Sequence, residues 1–133
     1  RVIIIQILYG MYYNNDQNII IPKHRFKKFI KDVVFGTIER NEVIIKEIKR
    51  YLDTDINLKE HDNIFLIILK SAIYELLYKP TTSSKIIIKE YLNASNFFIE
   101  DAKTKYLNAL LDKITKNLRL NNEWKYFDKK LSN

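Results

Sequence analysis

Between Lys103 and Arg119 five basic residues, Lys103, Lys105, Lys113, Lys116 and Arg119, face a single acid, Asp112, a balance of +4. Tyr106 stands among them, and Phe97 lies just upstream. Lysines beside aromatic rings can hold single-stranded RNA, with ammonium groups on phosphates and bases stacked on the rings. The competing reading is a solvated helix exterior, with Tyr106 a core residue whose hydroxyl sits at the rim. A second basic cluster holds Lys23, Arg25, Lys27, Lys28 and Lys31 with His24, whereas Glu39 to Asp62 carries seven acidic residues against five basic ones. This segregation counts for more than the total charge of +7. Lysine outnumbers arginine and the chain is crowded with Ile, Asn, Phe and Tyr, the residues that AT-rich codons specify.

Other chemistries are poorly supplied. His24 and His61 are far apart and there is no cysteine, so no metal-ligand spacing, disulfide or thiol nucleophile exists. With Gly10 and Gly36 the only glycines, no glycine-rich loop can cradle a phosphate. No serine or carboxylate stands in a nucleophile, base and orienter arrangement. The expectation is a protein without catalysis, metal or cofactor, whose work is binding RNA, protein or both. Absence of cysteine fits a reducing cytoplasm.

These residues must be positioned by helices. Two glycines and two prolines are too few for the hairpins of a sandwich or barrel, which points to an all-α chain. The organising stretch is Ile64 to Leu77, apolar except for Lys70, Ser71, Tyr74 and Glu75. Fourteen helical residues rise about 21 Å, short of the roughly 30 Å of a bilayer core, so this is a buried helix and no membrane is expected as partner. Asp62 or Asn63 can cap its start, and Pro80 ends it. Around it, helices are expected over Val2 to Tyr13, Arg25 to Arg40, Asn41 to Leu52, Lys85 to about Asn96 with Ser84 as cap, and Ala102 to Leu118.

Their expected inward stripes are Val2, Ile5, Leu8, Tyr9 and Tyr12 in the first, and Phe26, Phe29, Ile30, Val33, Val34 and Ile38 in the second. The third buries Val43, Ile44, Ile48, Tyr51 and Leu52, and the last Tyr106, Leu107, Leu110, Leu111 and Ile114. Gly36, inside the second helix, suggests close approach of another helix, because a mid-helix glycine costs about 1 kcal/mol against alanine. Asn14 to Asn18 read as a polar break and Asp53 to Glu60 as a linker. The tail from Leu120 to Asn133, with Trp124, Tyr126 and Phe127, is expected to dock as a last short helix or to bind something. Adjacent Phe97 and Phe98 read first as core plugs.

The order of segments carries a resemblance. QILYGMYY from Gln6, FIKDVVFGTIER from Phe29, Lys70 followed by AIYELLYKP from Ala72, IIIKEY from Ile86, the Phe97 and Phe98 pair, and YLNALLDKI from Tyr106 together resemble the NusB family of bacterial transcription antitermination factors. The resemblance covers Arg1 to about Leu118. It implies a compact all-α bundle of six to seven helices in two three-helix subdomains, within one domain over 1–133: residues 1–52, residues 61–120, and a tail at 121–133. It further implies binding of boxA-type single-stranded RNA of nascent ribosomal RNA, together with the ribosomal small-subunit protein NusE, in a transcription elongation complex in the cytoplasm. Some family members pair as homodimers through surfaces that overlap the RNA site.

By position, Arg1, Lys70, Phe97, Asp101 and Tyr106 match the family's RNA surface, and Tyr9 a residue facing NusE. Arg1 looks like the last member of an arginine-rich run expected upstream. Lys103 and Lys105 join the RNA set on charge alone, because one extra residue stands between Asp101 and Tyr106. Phe65 replaces an acidic residue that contacts NusE, with Leu66 in place of a basic one, so a polar contact is lost there and either this interface with NusE is more apolar or the partner surface has changed too. Lys89 replaces the asparagine usual before Glu90, and Ser83 with Ser84 an apolar pair.

Two rivals share the fold. One is the NusB-like N-terminal domain of an RNA cytosine methyltransferase, which the polar, charged end DKKLSN argues against. The other is a protein-binding adaptor without RNA, docking through Trp124, Phe65 and Leu66.

Overall fold

A computed structural model describes residues 1–14, 20–51 and 63–131 of the chain, with side chains for 1–13, 20–51 and 63–119. The expected polar break after Asn14, the linker at 53–60, His61, the Asp62 cap and the side chains of Trp124, Tyr126 and Phe127 lie outside that description. The described residues form six helices: α1 (Val2–Asn14), α2 (Lys27–Glu39), α3 (Asn41–Tyr51), α4 (Asn63–Tyr78), α5 (Ser84–Ser95) and α6 (Asp101–Leu131).

Helix α4 packs against all five others. Its burial runs from Ile64 and Phe65 through Leu76 almost without interruption, Lys70 excepted. Each large apolar side chain so buried is worth about 1.5–3 kcal/mol. The polar residues within it are provided for locally or across the core. Ser71 Oγ donates to the carbonyls of Ile67 and Ile68 at 2.9 and 3.0 Å, and Tyr74 donates to Asp32 at 3.0 Å. A single cluster of buried residues joins Ile4, Ile5 and Leu8 of α1 to Ile30, Val33, Ile44, Ile48, Ile87, Tyr91, Leu107, Leu111 and Ile114 of the surrounding helices.

Gly36 is where α2 meets α4 most closely. A Cβ there would overlap the Tyr74 ring, which gives the glycine its physical reason. Helix α5 starts one residue earlier than expected: the cap is Ser83, whose hydroxyl accepts from the Ile86 N–H at 3.3 Å. Helix α6 does not stop at Leu118 but continues unbroken to Leu131.

The expected stripes need correction at six residues, Tyr9, Tyr12, Phe26, Ile38, Val43 and Tyr106, the last 38% exposed. Tyr9 and Tyr12 are 36% and 59% exposed, while Ile4, Ile5 and Leu8 carry the packing of α1. Phe26 stands at the N-cap position of α2, 57% exposed, and Ile38, near the end of α2, is 41% exposed. Val43, one turn into α3, is likewise outside, while Ile44 and Ile48 carry that helix's packing.

Candidate RNA and protein interface

Helix α6 runs parallel to α4. Tyr106 meets Phe65 at the N-terminal end of α4, and Arg119 meets the carbonyls at its C-terminal end. This placement sorts the candidate residues. The Tyr106 ring stacks on Phe65 with centroids 5.5 Å apart and planes at 21°, leaving Tyr106 38% exposed. Burial raises the Tyr106 pKa above its usual 10.0, so the phenol stays neutral. Phe65 itself is only 3% exposed. It is the floor beneath Tyr106, not a residue that a partner can touch directly, which moves it out of the expected NusE surface; Leu66 beside it is half-buried.

Phe97 and Phe98 divide between the two uses open to them. Phe98 packs against the core, whereas Phe97 is 76% exposed. The turn presenting Phe97 is fixed by backbone bonds from Phe97 to Ala94 and from Phe98 and Ile99 to Ser95. Ser95 Oγ donates to the Leu92 carbonyl at 2.7 Å and lies 3.2 Å from Thr104 Oγ1, tying the end of α5 to the first turn of α6. Asp101 opens α6 as an exposed carboxylate, in the position where negative charge suits the helix dipole. Lys103 is half-buried and Lys105 exposed. Further along, Lys113 and Lys116 are exposed, with Lys116 3.5 Å from Asp112.

Two arginines turn inward, Arg119 buried and Arg1 part-buried. Arg1 donates to Glu75 through Nη2 at 2.7 Å and Nε at 3.1 Å, with its guanidinium 4.6 Å from the Phe29 ring centroid. The Glu75 side chain is fully buried. Burial works to lower the Arg1 pKa, but the hydrogen bonds and charge of Glu75 prevail and leave it raised. The Tyr91 hydroxyl beside them is pushed well above its usual value by burial and then by Glu75. Arg1 is therefore engaged by Glu75 in a part-buried ion pair.

Arg119, counted from sequence with the basic face, is 3% exposed. It donates to the carbonyls of Leu76 at 2.8 Å, Lys79 at 2.8 Å and Thr82 at 2.7 Å, with Glu75 and Pro80 at 3.4 Å. The carbonyl of Leu76 is among the last of α4, which a helix end leaves without partners, and those of Lys79, Pro80 and Thr82 belong to the turn that follows it. Its position beside Leu118 on the apolar stripe, and a helix closed by Pro80, are the signals that could have found it.

Lys70 lies elsewhere, in a cleft of about 230 Å³ lined by Leu8, Met11 and Tyr12 of α1 and by Thr37 and Ile38 of α2. Burial lowers its pKa below 10.5. The Tyr9 ring lies tilted against Tyr13 with centroids 4.6 Å apart, and Tyr12 meets Tyr13 edge-on at 5.6 Å. This makes an exposed tyrosine cluster at the end of α1 from which sequence had singled out only Tyr9. No described helix is long and apolar enough to cross a membrane, and no group of described residues could hold a metal ion.

The NusB family model matches residues 1–116. Among curated relatives, the transcription antitermination protein NusB of Lysinibacillus sphaericus is 31% identical over 87 residues, covering 65% of this chain and 68% of the relative. That of Coxiella burnetii is 33% identical over 91 residues, covering 68% and 64%. The chain spans a smaller share, 59%, of the Mesorhizobium japonicum protein, which is 26% identical over 92 residues. A solved structure of T. maritima NusB superimposes with a TM-score of 0.80 over 93% of each chain at 20% identity, a likeness of fold. Fold and sequence thus agree, and the chain belongs to the NusB family.

Proposed function

We propose that the chain is a non-catalytic antitermination factor of the cytoplasm that binds boxA-type single-stranded RNA jointly with NusE. The observation that carries this reading is the supported aromatic face: Tyr106 held flat on Phe65, Phe97 exposed on a fixed turn, and Lys103 and Lys105 nearby. A ring already stacked on its inner side loses little freedom when a base stacks on the outer one. Lys103 and Lys105 supply charge for phosphates, and Asp101 accepts from base amino groups. At Lys70 an arriving phosphate compensates a cation whose hydration burial has already weakened. Tyr9, Tyr13 and Leu66 offer NusE an aromatic and apolar contact. Arg1 serves the site only by holding α4 in place.

Binding of a boxA-type RNA and a scrambled control, by fluorescence anisotropy with and without NusE, tests the proposal. Preference for boxA that NusE strengthens is the expected result, with log affinity falling against log salt by about 0.7 per phosphate neutralised. Equal binding of both RNAs in the presence of NusE would refute it.

A further inference from the structure

At the other end of α4 a groove of about 560 Å³ opens between the starts of α1, α2 and α5. Its floor is Val2, Ile3, Phe29, Ile30 and Ile86, and Phe26 forms one wall. Phe26 and Ile86 are 57% and 53% exposed, among the described residues the largest apolar exposure outside the tyrosine cluster, Ile20 and Phe97. Thr82, on the groove, follows the C-terminus of α4, whereas Phe65 marks its N-terminus. The α4 residues between Phe65 and Tyr78 rise about 20 Å, so the groove is distinct from the Tyr106 face.

The charge around the groove is predominantly positive. Lys23, His24, Arg25 and Lys27 lead into α2 on one side. On the other, Lys85 adjoins Ile86 and Lys89 follows it by one turn on the exposed face of α5. No Asp or Glu lines the groove. Arg1 at its edge is neutralised by Glu75, and Glu90 on α5 is an acid within electrostatic range of Arg1. An exposed apolar concavity with a polar rim marks an interaction site, and a volume within about 300–1,000 Å³ is typical of one.

From this complementarity we infer that the groove docks an acidic amphipathic segment of a partner protein, with its apolar side chains on Ile3, Phe29 and Ile86 and its carboxylates on the surrounding lysines. Nucleic acid fits less well. The floor is apolar and offers no donors or acceptors to a base edge. The two exposed rings, Phe26 and His24, already lie against each other at 5.9 Å, and Phe26 has the Arg25 guanidinium 5.5 Å from its centroid.

The probe is a fluorescein-labelled helical peptide with leucines on one face and glutamates on the other, titrated with the full chain by anisotropy. A control peptide carries the same glutamates with serine for leucine. The peptide is expected to bind and the serine control to bind roughly tenfold more weakly or worse. Ile86→Glu, at a position exposed enough to spare the fold, should cost about tenfold, as should the pair Lys27→Glu and Lys85→Glu. Circular dichroism confirms that each variant is folded. No binding, equal binding of the serine control, or indifference to Ile86→Glu would each overturn the inference. So would a single-stranded oligouridine that binds the native chain more tightly than the peptide does and loses its affinity in Ile86→Glu.

Discussion

At the C-terminal end of α4, Arg1 and Arg119 have turned their guanidinium groups inward, onto the Glu75 carboxylate and onto the last carbonyls of the helix. At the N-terminal end, Lys105 faces water and Tyr106 and Phe97 present rings to it. Both ends combine cations with aromatics: Arg1 near Phe29 and Tyr91 at one, Lys103 and Lys105 around Tyr106 at the other. What differs is the use made of the cation. A guanidinium locked onto a carboxylate or onto carbonyls is part of the fold, whereas an exposed ammonium such as that of Lys105 stands where a ligand can reach it. The fork of arginine suits the first task, since it can satisfy a carboxylate or several carbonyls at once, and the hydrated point charge of lysine suits the second.

The sharpest way to break this contrast is to remove the inner counter-charge. Arg1→Met leaves the Glu75 carboxylate buried and unpaired, and should lower unfolding free energy in urea by about 3–5 kcal/mol. A loss below ~1 kcal/mol would mean that the pair is not structural. Arg119→Ala should cost less, about 2–3 kcal/mol, because hydrogen bonds to a charged donor are lost while some of the α4 carbonyls gain water. Neither change should alter the salt dependence of RNA binding once the protein is folded.

At the opposite end the signs reverse. Tyr106→Ala should leave stability nearly intact but weaken RNA binding by about 1–3 kcal/mol, the worth of one stacked base. A stability loss as large as that of Arg1→Met, without loss of affinity, would return Tyr106 to the core.

The smallest effect belongs to Lys70, which stands between the two classes. Its folded pKa is lowered by burial, so between that value and 10.5 the folded chain binds fewer protons than the unfolded one. Stability then rises with pH across this window. Lys70→Met should therefore stabilise the protein at neutral pH by up to about 1 kcal/mol and lose that advantage above pH ~10.5, while weakening RNA binding. Thermal melts at neutral and alkaline pH read the sign directly.

Much of the frame was legible in the residues. The apolar run of α4, Pro80, and Gly36 as a point of close approach are local signals that found their counterparts, and the cap of α5 was placed one residue late, on Ser84 in place of Ser83. Local signals failed where the answer lay on another helix. Periodicity shows that α1 and α2 have apolar sides, but not which side a neighbour covers, so Tyr12, Phe26 and Ile38 were assigned inward. The partner of Arg1 is 74 residues away, and nothing near either residue announces it. The same blindness counted Arg119 with the lysines of α6. Phe97 against Phe98 was undecidable for a different reason: adjacent helix-end residues point in different directions, and only the docking of Ser95 on Thr104 fixes which one faces water.

The reach of Arg119 also bears on how the molecule opens. Its bonds join residues 37 to 44 apart in sequence and hold the last turn of α4 and the connection into α5 from a third helix. The carbonyls it holds are acceptors that fraying would otherwise release first, so the end of α4 and the middle of α6 should open as one cooperative unit. In hydrogen exchange, the amides of the last α4 turn should then exchange at rates set by the detachment of α6.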